Sequence, residues 1–171
     1  LSLALGDDES YRRICAAMLE RFGTTEDPRS AHSLVSACTL LPDALPDMGR
    51  LIPVGQVAAG WYAGSIRMLA AAQCRAGACQ EAVRSFEKAA VHSRLRADDW
   101  LLLALAHHQL GHAEEAKRCL SQALQWIHHA DRRQLNDPAG TQPGWGDWHE
   151  RIWVPLLREE VETRLKAPIP G

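Results

Sequence analysis

Residues 66–93 read IRMLAAAQCRAGACQEAVRSFEKAAVHS, and residues 100–127 read WLLLALAHHQLGHAEEAKRCLSQALQWI. Laid over one another at an offset of 34 residues, without a gap, they share Leu69/Leu103, Ala70/Ala104, Ala72/Ala106, Gly77/Gly111, Glu81/Glu115, Ala82/Ala116, Arg84/Arg118 and Ala89/Ala123. Phe86/Leu120 and Ile66/Trp100 exchange one large apolar residue for another. A helix–Gly–helix unit recurring at this period marks stacked helical hairpins. Small residues at 70 and 82 let the two helices of a unit approach closely. Gly77 supplies the left-handed turn between them. Large residues at 66, 69 and 86 fill the gap to a neighbouring hairpin, because one hairpin cannot bury its own apolar face.

Outward from this pair the chain reads as helix almost throughout. Ala, Leu, Arg, Glu and Gln dominate, and no alternation of β-branched and aromatic residues persists. Asp7 or Asp8 caps a helix over 8–22 that Gly23 ends. Asp27 at the N-cap and Pro28 at the first helical position open another, which runs to 41 and is closed by Pro42. The stretch 47–59 is weaker, interrupted by Pro53 and lowered in propensity by Gly49 and Gly55. Further helices fall at 62–76, 79–92, 98–110 and 113–129. Gln134–Asp147 concentrates Pro, Gly, Asn and Asp and reads as a loop. A last amphipathic helix, 147–166, carries Trp148, Ile152, Trp153, Leu156, Leu157, Val161 and Leu165, with Pro155 expected to kink it or split off a first turn.

The two aligned units resemble the tetratricopeptide repeat family. That family's roles fall on Ile66, Leu69, Ala70, Gly77, Ala82, Phe86 and Ala89, then on Trp100, Leu103, Ala104, Gly111, Ala116, Leu120 and Ala123. The family's first-helix Tyr is replaced by Gln73 and His107, and its closing Pro is missing from both units. The resemblance implies an all-α fold of antiparallel hairpins stacked as a right-handed superhelix. The expected organisation is degenerate helical repeats over 1–60, two clear units over 61–129, a loop over 130–146, and a capping helix and tail over 147–171. Upstream, RICAAMLERFG and SAHSLVSACTLLP echo a first and a second helix, while an alternative framing pairs 28–41 with 47–59. The Ala/Arg-rich style also resembles the repeat tails of large bacterial signalling proteins that carry a Ser/Thr kinase domain or WD repeats.

Composition narrows the function. The 171 residues carry a net charge of −2, with no Lys/Arg-dense segment, so no electrostatic footprint for nucleic acid is present. No stretch approaches the roughly 18 apolar residues of a membrane span. The apolar start LSLALGDDES lacks a basic region ahead of it and is not read as a signal peptide. A first residue of Leu1 suits a segment of a longer polypeptide. Five cysteines, with no CxxC and four of them (Cys15, Cys38, Cys74, Cys119) inside helical patterns, read as buried free thiols of a cytoplasmic protein.

No catalytic motif stands out. There is no Walker loop, no GxGxxG after a strand and no GxSxG elbow, and WHERIW lacks a second His four residues on. Cys74 and Cys79 flank a turn, and their counterparts His108 and Ala113 show that neither position demands sulfur. His107, His108 and His112 form the one metal-binding alternative, although Gly111 breaks the helix between the last two. No cofactor and no metal are expected, and no enzymatic activity. The expected function is a non-catalytic protein–protein interaction scaffold, its concave groove formed by first helices. The resemblance places Gly64, Arg67, Ala71, Cys74 and Arg75 on that groove in one unit, and Asp98, Leu101, Leu105, His108 and Gln109 in the next. Arg67 and Arg75 either favour an acidic ligand or are ordinary solvated arginines. Self-association through an uncapped repeat face is a third reading. Of the six tryptophans, Trp100 suits the core and Trp145, Trp148 and Trp153 suit packing of the cap, exposure of the latter being the mark of a partner site.

Overall fold

The computed structural model describes residues 6–136 and 148–166, and among these it is all-α, with no strand. The helices are α1 (Asp8–Phe22), α2 (Pro28–Cys38), α3 (Leu51–Ala59), α4 (Ile66–Arg75), α5 (Cys79–His92), α6 (Ala97–Gln109), α7 (Ala113–Asn136) and α8 (Trp148–Lys166), with short 3₁₀ turns at Met48–Arg50 and Ala63–Ser65. Two compact units divide the chain, Leu1–Arg94 and Leu95–Gly171.

In the first unit the caps follow side-chain chemistry. Asp7 accepts from the Ser10 amide at 3.0 Å and opens α1. Asp27 accepts from the Ser30 amide at 2.9 Å, with Pro28 occupying a position whose N–H would have no helical partner. α2 ends at Cys38, short of the expected 41. Thr39 closes it, its hydroxyl donating to the Val35 carbonyl at 2.9 Å. Pro53 does not interrupt α3: it is the third residue of the helix, where a missing N–H costs nothing. Tyr11, Cys15 and Leu19 of α1 and Leu34, Val35 and Cys38 of α2 are buried in one core with Leu51 and Val54 of α3 and Met68 of α4. At Gly55 the helices α3 and α4 approach so closely that a Cβ would stand 3.0 Å from the Leu69 Cα.

The α4–α5 hairpin shows why its letters matter. Gly77 adopts φ +78°. Its amide donates to the Cys74 carbonyl at 3.1 Å, and the Ala78 amide reaches back to the Gln73 carbonyl at 2.9 Å. This reciprocal pair is a Schellman motif, and it satisfies carbonyls that the end of α4 leaves open. Ala70, Ala82, Phe86 and Ala89 are fully buried. Gln73 accepts the Ser85 hydroxyl across the hairpin at 2.7 Å.

The second unit contains the α6–α7 hairpin with the same turn. Gly111 has φ +78°, its amide donates to the His108 carbonyl at 3.0 Å, and the His112 amide donates to the His107 carbonyl at 2.9 Å. Six consecutive residues of α6, Leu101 to Ala106, are buried, and α6 packs against both α7 and α8. A helix apolar all round is one covered all round. α7 runs on to Asn136, so the loop expected from 130 starts no earlier than 137; residues 137–147 lie outside the described residues. α8 continues through Pro155 as one helix, and buries Trp153, Val154, Leu157 and Val161. Trp145 and the side chain of Trp148 lie outside the described residues.

A Cβ at Gly77 or Gly111 would touch nothing within 4 Å, so only the positive φ opposes a side chain there. Gly111→Ala is therefore expected to cost about 1–2 kcal/mol, and Gly111→Asn less, because Asn tolerates the left-handed region. Urea unfolding of the two variants checks both the sign and the order.

Candidate functional site

The ten residues assigned to a groove meet different surroundings. Gly64, Ala71, Cys74, Asp98, Leu101, Leu105 and His108 are buried, Arg67 and Arg75 are half-buried, and Gln109 is exposed. Arg75 has a specific occupation in the first unit. Its Nε donates to the Thr39 carbonyl at 2.8 Å and its guanidinium also reaches the Leu40 carbonyl at 3.3 Å. Those carbonyls follow the last turn of α2, where the helix dipole and unsatisfied acceptors favour a cation. In the second unit Asp98, 2% exposed, lies at the N-terminus of α6 with the Arg96 guanidinium 3.7 Å away. Beside it Asp99 accepts from the Arg96 amide at 2.9 Å. Both aspartates complement the positive end of the helix.

The exposed surface with recognition chemistry is elsewhere in the first unit. Phe22, Trp61 and Tyr62 are 41%, 43% and 52% exposed. A cleft of about 300 Å³ opens between α1 and α2, lined by Met18, Phe22, Arg29, Ser30, Ser33 and Leu34. The Arg29 guanidinium lies 5.8 Å from the Trp61 ring centre, and the Arg21 guanidinium 5.3 Å from that of Phe22. His32 and Tyr62 both meet the Trp61 ring edge-on, at 5.0 and 5.3 Å. Cation–π contacts of this kind hold an arginine in place while its polar edge stays in water. Asp27, next to Arg29, is committed to the α2 cap: its hydrogen bonds with Ser30 hold its carboxyl below the ordinary range.

Sequence reasoning missed this site because its parts come from residues 18–34 and 61–62, joined only by tertiary packing. One signal was present: Trp61 and Tyr62 are adjacent beside Gly60, and such a turn gives two large rings no common apolar face.

Two side-chain pairs complete the chemistry. The Nδ1 atoms of His107 and His112 stand 3.3 Å apart across the Gly111 turn, close enough to share one proton. His108 is buried. Among the described residues no group of three or more His, Cys, Asp or Glu could hold a metal. The second pair is Cys15 and Cys38, on α1 and α2. The Cys15 thiol lies 3.9 Å from the Ala37 carbonyl, and the Cys38 thiol 3.9 Å from the carbonyl of Cys15 itself. The Tyr11 hydroxyl donates to that same Ala37 carbonyl at 2.6 Å. The nearness of the two side chains holds Cys15 below the ordinary thiol range and, with burial, drives Cys38 above it. Burial pushes Cys79 up, and Cys119 up to about 11. All five cysteines are buried, and none is in a disulfide.

No described helix is long and apolar enough to cross a membrane. No family model, no curated protein and no solved structure matches the chain.

Proposed function

We propose that the chain is a non-catalytic protein-interaction module built from tetratricopeptide-like hairpins, working in the cytoplasm as part of a larger bacterial signalling or regulatory polypeptide. Two hairpins with the same Schellman turn at a 34-residue offset support the array reading, and buried thiols, none in a disulfide, suit a reducing compartment. The observation that carries the interaction role is the exposed set of Phe22, Trp61 and Tyr62 beside the α1/α2 cleft, with Arg21 and Arg29 over two of the rings. Tyr, Trp and Arg are the residues in which binding energy concentrates at protein interfaces. Monomeric proteins seldom leave such rings clustered in water without use.

The occupant is a peptide segment that places an aliphatic or aromatic anchor in the cleft and a carboxylate against Arg29. Met18, Leu34 and the Phe22 ring supply the apolar lining, and the serines at 30 and 33 supply polar contacts. Arg21 and Arg29 form no ion pair among the described residues, whereas Arg12, Arg84, Arg118 and Arg158 each pair with an acid. Glu20 and Glu26 are exposed on the same stretch of chain, so selection of a carboxylate rests on the placement of the two guanidiniums rather than on net charge.

Selection from a displayed peptide library on the immobilised chain tests this reading. Enriched peptides are expected to pair an apolar anchor with Asp or Glu, and to lose about tenfold or more in affinity for Trp61→Ala and for Arg29→Glu. Affinity unchanged by both variants but lost in Arg67→Glu would move the partner to the α4 positions of the expected groove.

A further inference from the structure

We propose that Cys15 and Cys38 are a peroxide-oxidised thiol pair, whose disulfide staples α1 to α2 and is reopened by thiol reductants. The proposal does not depend on the cleft. It starts from placement: two cysteines 23 residues apart, on two helices packed together, each thiol directed at a main-chain carbonyl of the other helix. The Cys38 sulfur is 3.9 Å from the carbonyl of Cys15, and the Cys15 sulfur is 3.9 Å from the carbonyl of the residue before Cys38. Both sulfurs thus lie at the α1–α2 contact in the core of the first unit, where both residues are buried and each side chain acts on the other.

The two thiols are not equivalent, and their difference sets the order of events. The Cys38 thiol donates to the Cys15 carbonyl, and its side chain beside Cys15 favours the thiolate of Cys15. The thiolate is the nucleophile towards peroxide. It attacks one peroxide oxygen, the O–O bond breaks, hydroxide leaves, and Cys15 becomes a sulfenic acid. The Cys38 sulfur then attacks that of Cys15, the S–O bond breaks, and a second hydroxide leaves. The two thiol protons convert the hydroxides to water, so two thiols and one peroxide give one disulfide and two waters. Peroxide is small enough to enter through local opening of the helices. The bridge would join α1 and α2 one turn from Leu19 and Leu34, which pack in the same core.

Trypsin places the two cysteines on separate peptides, residues 14–21 and 30–50, each containing one cysteine. The folded, reduced chain is treated with hydrogen peroxide, unfolded in alkylating reagent and mapped by mass spectrometry. Two of the five thiols should escape alkylation, the two peptides should appear joined, and dithiothreitol should restore all five. In Cys38→Ala, Cys15 should instead be trapped by dimedone as a sulfenic acid with no cross-link. If Cys38→Ala does not fold, the map of the unsubstituted chain decides alone. Five alkylated thiols, or a cross-link that omits either residue, would overturn the proposal.

Discussion

Phe86→Ala is expected to lower the stability of the chain by about 3–5 kcal/mol, the range for removing a fully buried aromatic ring. Phe86 has no exposed surface. The residues one turn away on its own helix face, Ala82 and Ala89, are also fully buried and carry only a methyl group each. They have no side chain that could swing into the vacated space, so the cavity term adds to the lost burial instead of relaxing away. Phe86→Leu, which keeps most of the volume and repeats what Leu120 does 34 residues later, is expected to cost about 1 kcal/mol. Urea unfolding with a common slope measures both. A loss below about 1 kcal/mol for the alanine variant would mean that the ring does not anchor the α4–α5 hairpin.

Gly55→Val is expected to cost about 3 kcal/mol, through crowding instead of a cavity. A Cβ at 55 would stand 3.0 Å from the Leu69 Cα and 3.3 Å from the Ala72 Cβ. A backbone atom cannot rotate aside, so α3 and α4 would have to move apart along a face that also buries Val54, Ala58 and Met68. Gly55→Ala separates two opposing effects. Alanine gains about 1 kcal/mol of helix propensity over glycine, and the same close approach takes back a similar amount, leaving a net change near zero. Thermal unfolding of the pair checks this: an alanine variant that gains the full propensity term would show that the helices have room to spare.

Gly55 also marks where the sequence could and could not be read. In the string it counts only as a weak helix former, whereas in the fold it stands where α3 and α4 leave too little room for a side chain. The turn glycines were legible because their requirement is local: each ends a helix, and each recurs 34 residues apart. The caps at Asp7 and Asp27 were legible for the same reason. Pro53 was misleading because its effect depends on position within the helix, and three residues from the start it does no harm. The end of α7 was placed early because Gln134 and Asn136 were grouped with the breakers at Pro138 and Gly140, though neither stops a helix by itself. Helical register says which residues share a face of α4 or α6. It does not say which faces other helices cover, and seven of the ten expected groove residues are buried. The α1/α2 cleft and the Cys15–Cys38 pair depend wholly on that tertiary information.

The C-terminal end of α2 receives bonds from two directions: the Tyr11 hydroxyl from α1 at Ala37, and the Arg75 guanidinium from α4 at Thr39 and Leu40. All of these acceptors are main-chain carbonyls. A carbonyl is present whatever side chain stands at the position, so the requirement falls on the donors alone. Ala37 and Leu40 can drift through substitution without loosening this joint, while Tyr11 and Arg75, 64 residues apart in the chain, are tied to one another's usefulness.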